Sequence, residues 1–408
     1  MNAEIISIGF ELLNGRTVNT NASTIAKALI ETGVITRWIT TIPDEETEIA
    51  AAVKMALKRA DIIITTGGLG PTNDDITKEI ITRTLGGNLV FDEAIFTRVK
   101  KRFASFGVQM PATNRNQAMV PDNARVLINE MGTAPGLLFE PQNKLVFVLP
   151  GVPKEMTFLM ETAVIPRVRP LVKTKAPKSM SFRTTGIGES ALYEKVQDVL
   201  QKYPQINFMF YPEFTGVELK ISGYSEDEMQ QAGQAILERA GNFIYSREDG
   251  GSLQKTLGDL LRNKKKTIAV AESCSGGLLG HLLTSVPGAS EYFMGGVISY
   301  SNRAKVASLQ VQEDTLMQFG AVSEPTAKEM AEGVRSVFSA DIGVSVTGIA
   351  GPSGGTSEKP VGLVYIGLAH GNTVTAHRFN FGGDREMNKL RSAAAAMNLV
   401  RLKVISED

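Results

Sequence analysis

The sequence predicts an α/β protein: two α/β three-layer domains with mainly parallel sheets, joined by a small α+β middle domain. Three observations carry this. Runs rich in Ile and Val alternate with stretches whose apolar residues recur at helical spacing, the pattern of βαβ units. Two of these runs, DIIITT (61–66) and TIAVAE (267–272), pass directly into small-residue turns that carry adjacent glycines. The texture also breaks twice, at the basic, proline-containing stretch 166–180 and at Gly250-Gly251-Ser252. Those breaks divide the chain into 1–170, 171–250 and 251–408.

In the first segment Glu4–Gly9 reads as a buried strand, and Asn21–Gly33 as a helix with Ile25, Leu29 and Ile30 on one face. Val34–Thr41 is a strand, and 45–60 a helix carrying Ile49, Ala52, Val53, Ala56 and Leu57. Asp61–Thr66 and Leu145–Leu149 complete the strands. PRVRPLVKTKAPKS then reads as a linker. The middle block has strands near 180–185, 206–211 and 217–222, separated by helices near 189–201 and 225–240. Its Gly186-Ile187-Gly188-Glu189-Ser190 reads as a helix cap rather than as chemistry. In the last segment a helix at 253–263 is followed by strands at 267–272, 293–299, 341–347, 361–369 and 373–380. The AAAA at 393–396 marks a final helix.

Composition narrows the partners. Lys plus Arg equals Asp plus Glu, 43 against 43, so no charge surplus points to direct nucleic-acid binding or to an anionic membrane. The single cysteine, Cys274, excludes an intrachain disulfide and a cysteine-rich zinc site. The N-terminal residues lack the pattern of a secretory signal, and no stretch has the apolar length of a bilayer span. A cytoplasmic protein is expected.

The AESCSGG segment (271–277) falls at a strand-to-helix junction, a common ligand position in open α/β sheets. Ser273 is a candidate nucleophile. Ser275, Gly276 and Gly277 offer backbone N–H groups to an oxyanion or phosphate. Cys274 is a rival nucleophile, but it needs a histidine partner, and only His281, His370 and His377 exist. Glu272 suits either an acid/base or a carboxylate that orients the turn. YSNRAK (300–305) follows the next strand, placing Tyr300 at its end, Asn302 at a helix start and Lys305 one turn in. A desolvated lysine can serve a serine as base, although a helix lysine is ordinarily a solvated charge. Thr347, Gly348 and Gly351 lie in a third post-strand loop, suited to phosphate or carboxamide contact.

AESCSGG, YSNRAK, SVTGIAGP (345–352) and GGDR (382–385), in that order, resemble the C-terminal domain of the CinA (competence/damage-inducible protein) family. The resemblance implies a cofactor-free nicotinamide mononucleotide amidohydrolase that yields nicotinic acid mononucleotide and ammonia. It implies catalytic roles for Ser273, Tyr300 and Lys305 and a substrate contact for Arg385. A homodimer is implied as well.

The N-terminal segment TTGGLGPTNDD (65–75) joins a strand to a glycine loop and two carboxylates at a helix start. Carboxylates there suit the helix dipole, as caps, or a Mg²⁺-type ion. Together with GFELLNGRTVNTNAS (9–23), NRNQAMVPDNA (114–124), NEMGTAPG (129–136) and LPGVPKEM (149–156), it resembles the CinA N-terminal domain, which is related to molybdopterin-binding domains. The resemblance implies a metal-dependent ADP-ribose pyrophosphatase yielding AMP and ribose 5-phosphate. Glu11, Asp74 and Asp75 would hold the divalent metal. Gly67, Gly68 and Gly70 would cradle phosphate, and Asn21 and Asn116 would contact nucleotide. Phe10 departs from the aspartate or threonine often found at that position in related sequences. Two other functions remain open: molybdopterin binding or adenylylation by the N-terminal domain, and a non-enzymatic accessory role in competence or DNA damage.

Overall fold

A computed structural model describes residues 1–72, 75–173 and 176–406. It forms two compact units, Met1–Pro177 and Lys178–Asp408.

The first unit contains β1 (Asn2–Ile8), β2 (Ile35–Ile42), β3 (Ile62–Thr66), β4 (Leu89–Phe91), β5 (Met119–Pro121), β6 (Arg125–Leu127), β7 (Gly136–Phe139) and β8 (Leu145–Leu149). Its main sheet has the order β2-β1-β3-β8-β7-β6. The four strands β2, β1, β3 and β8 run parallel, and β7 and β6 add an antiparallel edge. β4 and β5 form a separate antiparallel pair. Every residue of β3 and β8 is buried, as continuous apolar runs require in a sheet covered on both faces. Ala22, Ile25 and Leu29 of the helix Thr20–Ile30 pack on one face with Met156, Leu159 and Val164. Ile49, Val53 and Ala56 of the helix Glu46–Arg59 pack on the other. Each fully buried aliphatic side chain of this kind contributes about 1.5–3 kcal/mol.

The stretch expected to be a linker is partly ordered as helix. Ile165–Val168 and Arg169–Leu171 are short helical segments, and Val168 joins the core beside Met160 and Val164. Pro166 and Pro170 lie in the first turn of these segments, where a missing N–H costs no hydrogen bond. The boundary between the two units falls within the rest of the stretch, at Pro177.

The second unit opens with β9 (Lys178–Thr184), β10 (Asn207–Glu213), β11 (Gly216–Gly223) and β12 (Ile244–Ser246), an antiparallel sheet of order β10-β11-β9-β12. The helices Glu189–Lys202 and Glu226–Ala240 supply Leu192, Val196, Met229 and Ile236 to its core. There follow β13 (Ile268–Glu272), β14 (Phe293–Ile298), β15 (Ile342–Gly348), β16 (Leu363–His370) and β17 (Thr373–Asn380). Their order is β14-β13-β15-β16-β17, with the first three parallel and the last two added antiparallel. Leu257 and Leu261, Leu279 and Leu283, and Met397 and Val400 cover one face. Leu309, Met330 and Val334 cover the other.

One buried cation ties this unit together. Arg401, on the final helix Arg385–Ile405, donates to the carbonyls of Ile244 (3.2 Å) and Asn242 (2.7 Å) and to Asn398 Oδ1 (3.0 Å). It therefore joins the end of the middle block to the last helix of the chain.

In the first unit, Gly67 follows β3 with φ +113°, and a Cβ there would lie 2.0 Å from the Ile8 carbonyl oxygen. Both the backbone angle and the contact exclude a side chain. Gly67→Ala is expected to lower stability by at least ~2 kcal/mol, read from the urea midpoint. An unchanged midpoint would show that the β1 end can yield.

Candidate functional site

The C-terminal site is built on one buried carboxylate. β13 ends at Glu272, which is 1% exposed. Its Oε2 accepts from the Gly277 and Leu279 N–H groups (3.0 and 3.1 Å), and its Oε1 accepts from the Gly280 N–H (2.8 Å). These are amides at the start of the helix Leu278–Thr284, which would otherwise lack acceptors. The oxygens of Glu272 are thus committed to shaping the turn, and of its two expected roles the geometry supports the orienting one. Gly276 and Gly277 take φ +65° and +97°, which lets five residues reverse the chain between strand and helix.

The turn presents Ser273 to Lys305. Ser301 caps the helix Asn302–Leu309 through the Ala304 N–H, and one turn further on Lys305 points inward. Lys305 is 1% exposed. Its Nζ donates to Ser273 Oγ at 3.0 Å and to the Ser299 carbonyl at 2.7 Å. Burial holds its pKa below the ordinary lysine value, because desolvation penalises the charged form. No carboxylate is bonded to the ammonium among the described residues, and the neighbouring Cys274 offsets the effect only in part. This lysine is therefore the exception to the surface-charge rule.

Cys274 faces the other way. It packs in the hydrophobic cluster with Leu279, Val346 and Ala350, and burial pushes its thiol up to about 11. A protonated thiol in an apolar core is a poor nucleophile.

Two expectations change at this site. The Gly276 N–H donates to the Ser273 carbonyl (3.2 Å) and the Gly277 N–H to Glu272, so these amides are engaged within the turn. The amides of Cys274 and Ser275 lie outside those hydrogen bonds. Tyr300 does not bridge Ser273 and Lys305. It is exposed, and its hydroxyl accepts from Arg385 Nη2 at 3.3 Å. Arg385 Nη1 donates to the Gly351 carbonyl at 2.8 Å, so Tyr300, Arg385 and Gly351 form one anchored group. Asn302 is exposed at its helix start. Thr347 is buried, with its hydroxyl donated to the Ala321 carbonyl (2.7 Å). Gly348 closes β15 against Val364. These last two support the loop.

In the first unit a cleft of about 460 Å³ opens at the carboxyl ends of β1 and β3. Glu11, Asn21, Gly67, Gly68, Gly70 and Asp75 line it. Asp74 lies outside the described residues. Asp75 Oδ2 accepts from the Thr72 N–H (2.8 Å) and hydroxyl, and its carboxylate sits over Gly70, where a Cβ would come within 2.5 Å. Glu11 lies against Gly9 in the same manner. Asn21 Nδ2 donates to the Gly151 carbonyl (2.7 Å) and to Thr66 Oγ1 (3.2 Å), while its buried Oδ1 has no partner. Gly68 is pressed against the Thr77 hydroxyl. The Gly67 N–H continues the sheet to the Leu149 carbonyl (3.1 Å), so it cannot cradle phosphate.

Asn116 is exposed and outside the cleft lining. Its carbonyl accepts from Lys78 Nζ at 2.5 Å, and burial pushes that lysine down to about 8. The neighbouring Gln117 lines the cleft instead. The 3-10 turn Ala112–Ala118 rotates alternate residues differently from a strand, and nothing in the sequence marked it. Asp44 and Glu155 also line the cleft and were not foreseen. Burial raises the Glu155 pKa, partly offset by the hydrogen bond from Asn129 Nδ2 (2.6 Å). Among the described residues no three Asp, Glu, His or Cys side chains cluster as a cage for a metal. The lining is nonetheless rich in hard oxygen acceptors, which suits a cation held by one or two carboxylates and a substrate phosphate.

The fold and its two sites define a multidomain α/β protein with a strand-to-turn site in each unit. Family models match accordingly: "Probable molybdopterin binding domain" over residues 4–170, "Damage-inducible protein CinA KH domain" over 179–246, and "CinA C-terminal domain" over 251–404. A CinA-like protein of Chloroherpeton thalassium is 44% identical, spanning 98% of this chain and 99% of its own. A CinA-like protein of Kosmotoga olearia is 40% identical, spanning 98% of each. The crystal structure of the protein CinA from Thermoplasma acidophilum is 37% identical, covering 41% of this chain and 97% of its own, with a TM-score of 0.38. The chain belongs to the CinA family. Among the described residues no helix is long and apolar enough to cross a membrane.

The burial of Cys274 has a direct test. In the folded protein its thiol is expected to react with a chromogenic disulfide at least ~100-fold more slowly than in urea, since the thiolate is scarce and enclosed. Equal rates would place the thiol in the site.

Proposed function

We propose that the C-terminal domain hydrolyses the carboxamide of nicotinamide mononucleotide, giving nicotinic acid mononucleotide and ammonia. The observation that carries this reading is the Lys305 Nζ–Ser273 Oγ contact of 3.0 Å at a lysine that is 1% exposed. A desolvated lysine exists more readily as the neutral amine, and the neutral amine can accept the serine proton. Ser273 Oγ then bonds to the carboxamide carbon while Lys305 takes its proton. Backbone N–H groups of the turn stabilise the oxyanion. The C–N bond breaks, and Lys305 returns the proton to the departing ammonia. Water attacks the acyl carbon, Lys305 takes a proton from it, and Ser273 leaves as its hydroxyl. Arg385, braced by Tyr300 and Gly351, is the cation for the nucleotide phosphate. We further propose that the protein acts as a homodimer in the cytoplasm.

For the N-terminal domain we propose divalent-metal-dependent hydrolysis of ADP-ribose to AMP and ribose 5-phosphate. The cation would be held by Glu11 and Asp75 together with the substrate pyrophosphate. It would neutralise charge on the phosphates as the bond to the leaving group breaks. The acceptor-rich cleft supports this reading, including the unpartnered Asn21 Oδ1. Molybdopterin binding is the second reading, favoured by the family description matched over residues 4–170.

Ser273→Ala is expected to lower ammonia release at least ~1,000-fold. A wild-type rate would remove the nucleophile. Because burial lowers the Lys305 pKa, kcat/KM should rise with pH through a midpoint below 10.5, the ordinary lysine value. A midpoint at or above that value would exclude Lys305 as base. The same depression means that the unfolded chain binds more protons between the two pKa values, so in that window this group's contribution to stability rises with pH. Lys305→Met should thus be inactive yet melt higher than wild type, with the gain shrinking as pH rises. A lower Tm at neutral pH would show that the lysine's hydrogen bonds outweigh its desolvation.

The two activities should separate on chelation. Removing divalent metal should abolish AMP formation from ADP-ribose and leave ammonia release intact. Loss of both would put a metal in the C-terminal reaction as well.

A further inference from the structure

Asn388 lies on the first turn of the final helix, one turn beyond Arg385. It is 1% exposed. Its Nδ2 donates to the Ala350 carbonyl (3.0 Å) and to the Gly383 carbonyl (3.1 Å), while its Oδ1 is buried without a partner. Both neighbours are acceptors, so the amide can only be oriented with its nitrogen toward them. An unpartnered buried acceptor is costly, and an apolar side chain would avoid it. What the amide achieves is to hold two loops at one point: the loop after β15 and the turn that opens the final helix.

Those two loops carry the substrate arginine between them. Arg385 leaves the Gly383-Asp384 turn and donates to the carbonyl of Gly351, the residue after Ala350. Its other nitrogen meets Tyr300. Asn388 thus joins the same two segments that Arg385 bridges. We infer that Asn388 is a positioning residue: it sets the Gly351 carbonyl against the guanidinium and so aims Arg385 at the substrate phosphate. This inference rests on the amidohydrolase reading for its substrate, though the clamp itself does not.

The test is a double-mutant cycle on the full chain with Asn388→Leu and Arg385→Ala, following ammonia release from nicotinamide mononucleotide. Asn388→Leu should raise KM about tenfold with kcat within about twofold of wild type, the effect expected when a buried hydrogen-bonded support is lost. In the Arg385→Ala background the same change should leave KM within about twofold, because the group it positions is gone. An equal rise in both backgrounds, or a fall in kcat alone, would overturn the inference. Asn388→Ser, smaller and retaining one donor, should give an intermediate KM and serves if the leucine variant does not fold. Amide hydrogen exchange over 348–355 is read on the same proteins and needs no turnover. It should accelerate in Asn388→Leu. Accelerated exchange in a protein that releases no ammonia defeats the amidohydrolase reading and leaves the clamp standing. Unchanged exchange defeats the clamp.

Discussion

The C-terminal site depends on a carboxylate that is held by backbone amides, with no side-chain cation bonded to it among the described residues. Glu272 sits at the end of a fully buried strand and is held by three backbone N–H groups at the start of the next helix. A lone buried charge is normally prohibitive. Here the helix amides and dipole replace the lost water. The outcome is geometric. With both oxygens committed, the turn has one conformation, and Ser273 must emerge toward the neighbouring strand end, where Lys305 waits. The negative charge of Glu272 is spread into the helix start. The lysine therefore stays without a bonded carboxylate and keeps its depressed pKa.

The two units use one architectural device with opposite electrostatics. In each, a buried parallel strand ends in a turn with glycines at positive φ, and a helix follows. In the first unit the side chains converging on the cleft are carboxylates and amides, and several carboxylates lie flat against a glycine. In the second, a lysine and an arginine approach the serine turn from different elements. One site is rich in acceptors, the other in cationic donors.

Much of this was legible in the chain. The runs at 62–66, 145–149 and 268–272 are buried throughout, and apart from Thr65, Thr66 and Glu272 at their carboxyl ends they are wholly apolar, so composition marks them. The helices at 46–59 and 253–263 show their buried stripe directly. The pairing of Ser273 with Lys305 could be read from motif placement, because each residue lies just beyond a parallel strand on the same edge of the sheet. What could not be read depends on rotation within irregular segments. Whether residue 116 or 117 enters the cleft is decided by a 3-10 turn, and a turn of that kind leaves no periodic trace. The direction of Cys274 follows from the same reversal that turns Ser273 toward Lys305. Asn388 was invisible because a polar residue at the start of a helix is common, and only the structure shows it facing two carbonyls in the core.

Arg401 has a consequence for how the second unit comes apart. Its guanidinium is buried, and burial lowers its pKa. The contacts that satisfy it include the carbonyls of Ile244 and Asn242 at the far end of the middle block. If the middle block opens by itself, those acceptors leave and the cation keeps only Asn398 of its own helix, the helix that also forms part of the wall behind the serine turn. Opening is therefore unfavourable unless the final helix loosens with it, so the two regions share one cooperative unit. The middle block is then best understood as a brace. Its folding free energy is added to that of the domain it touches, and a chain cut at Gly251 would begin with that cation uncovered.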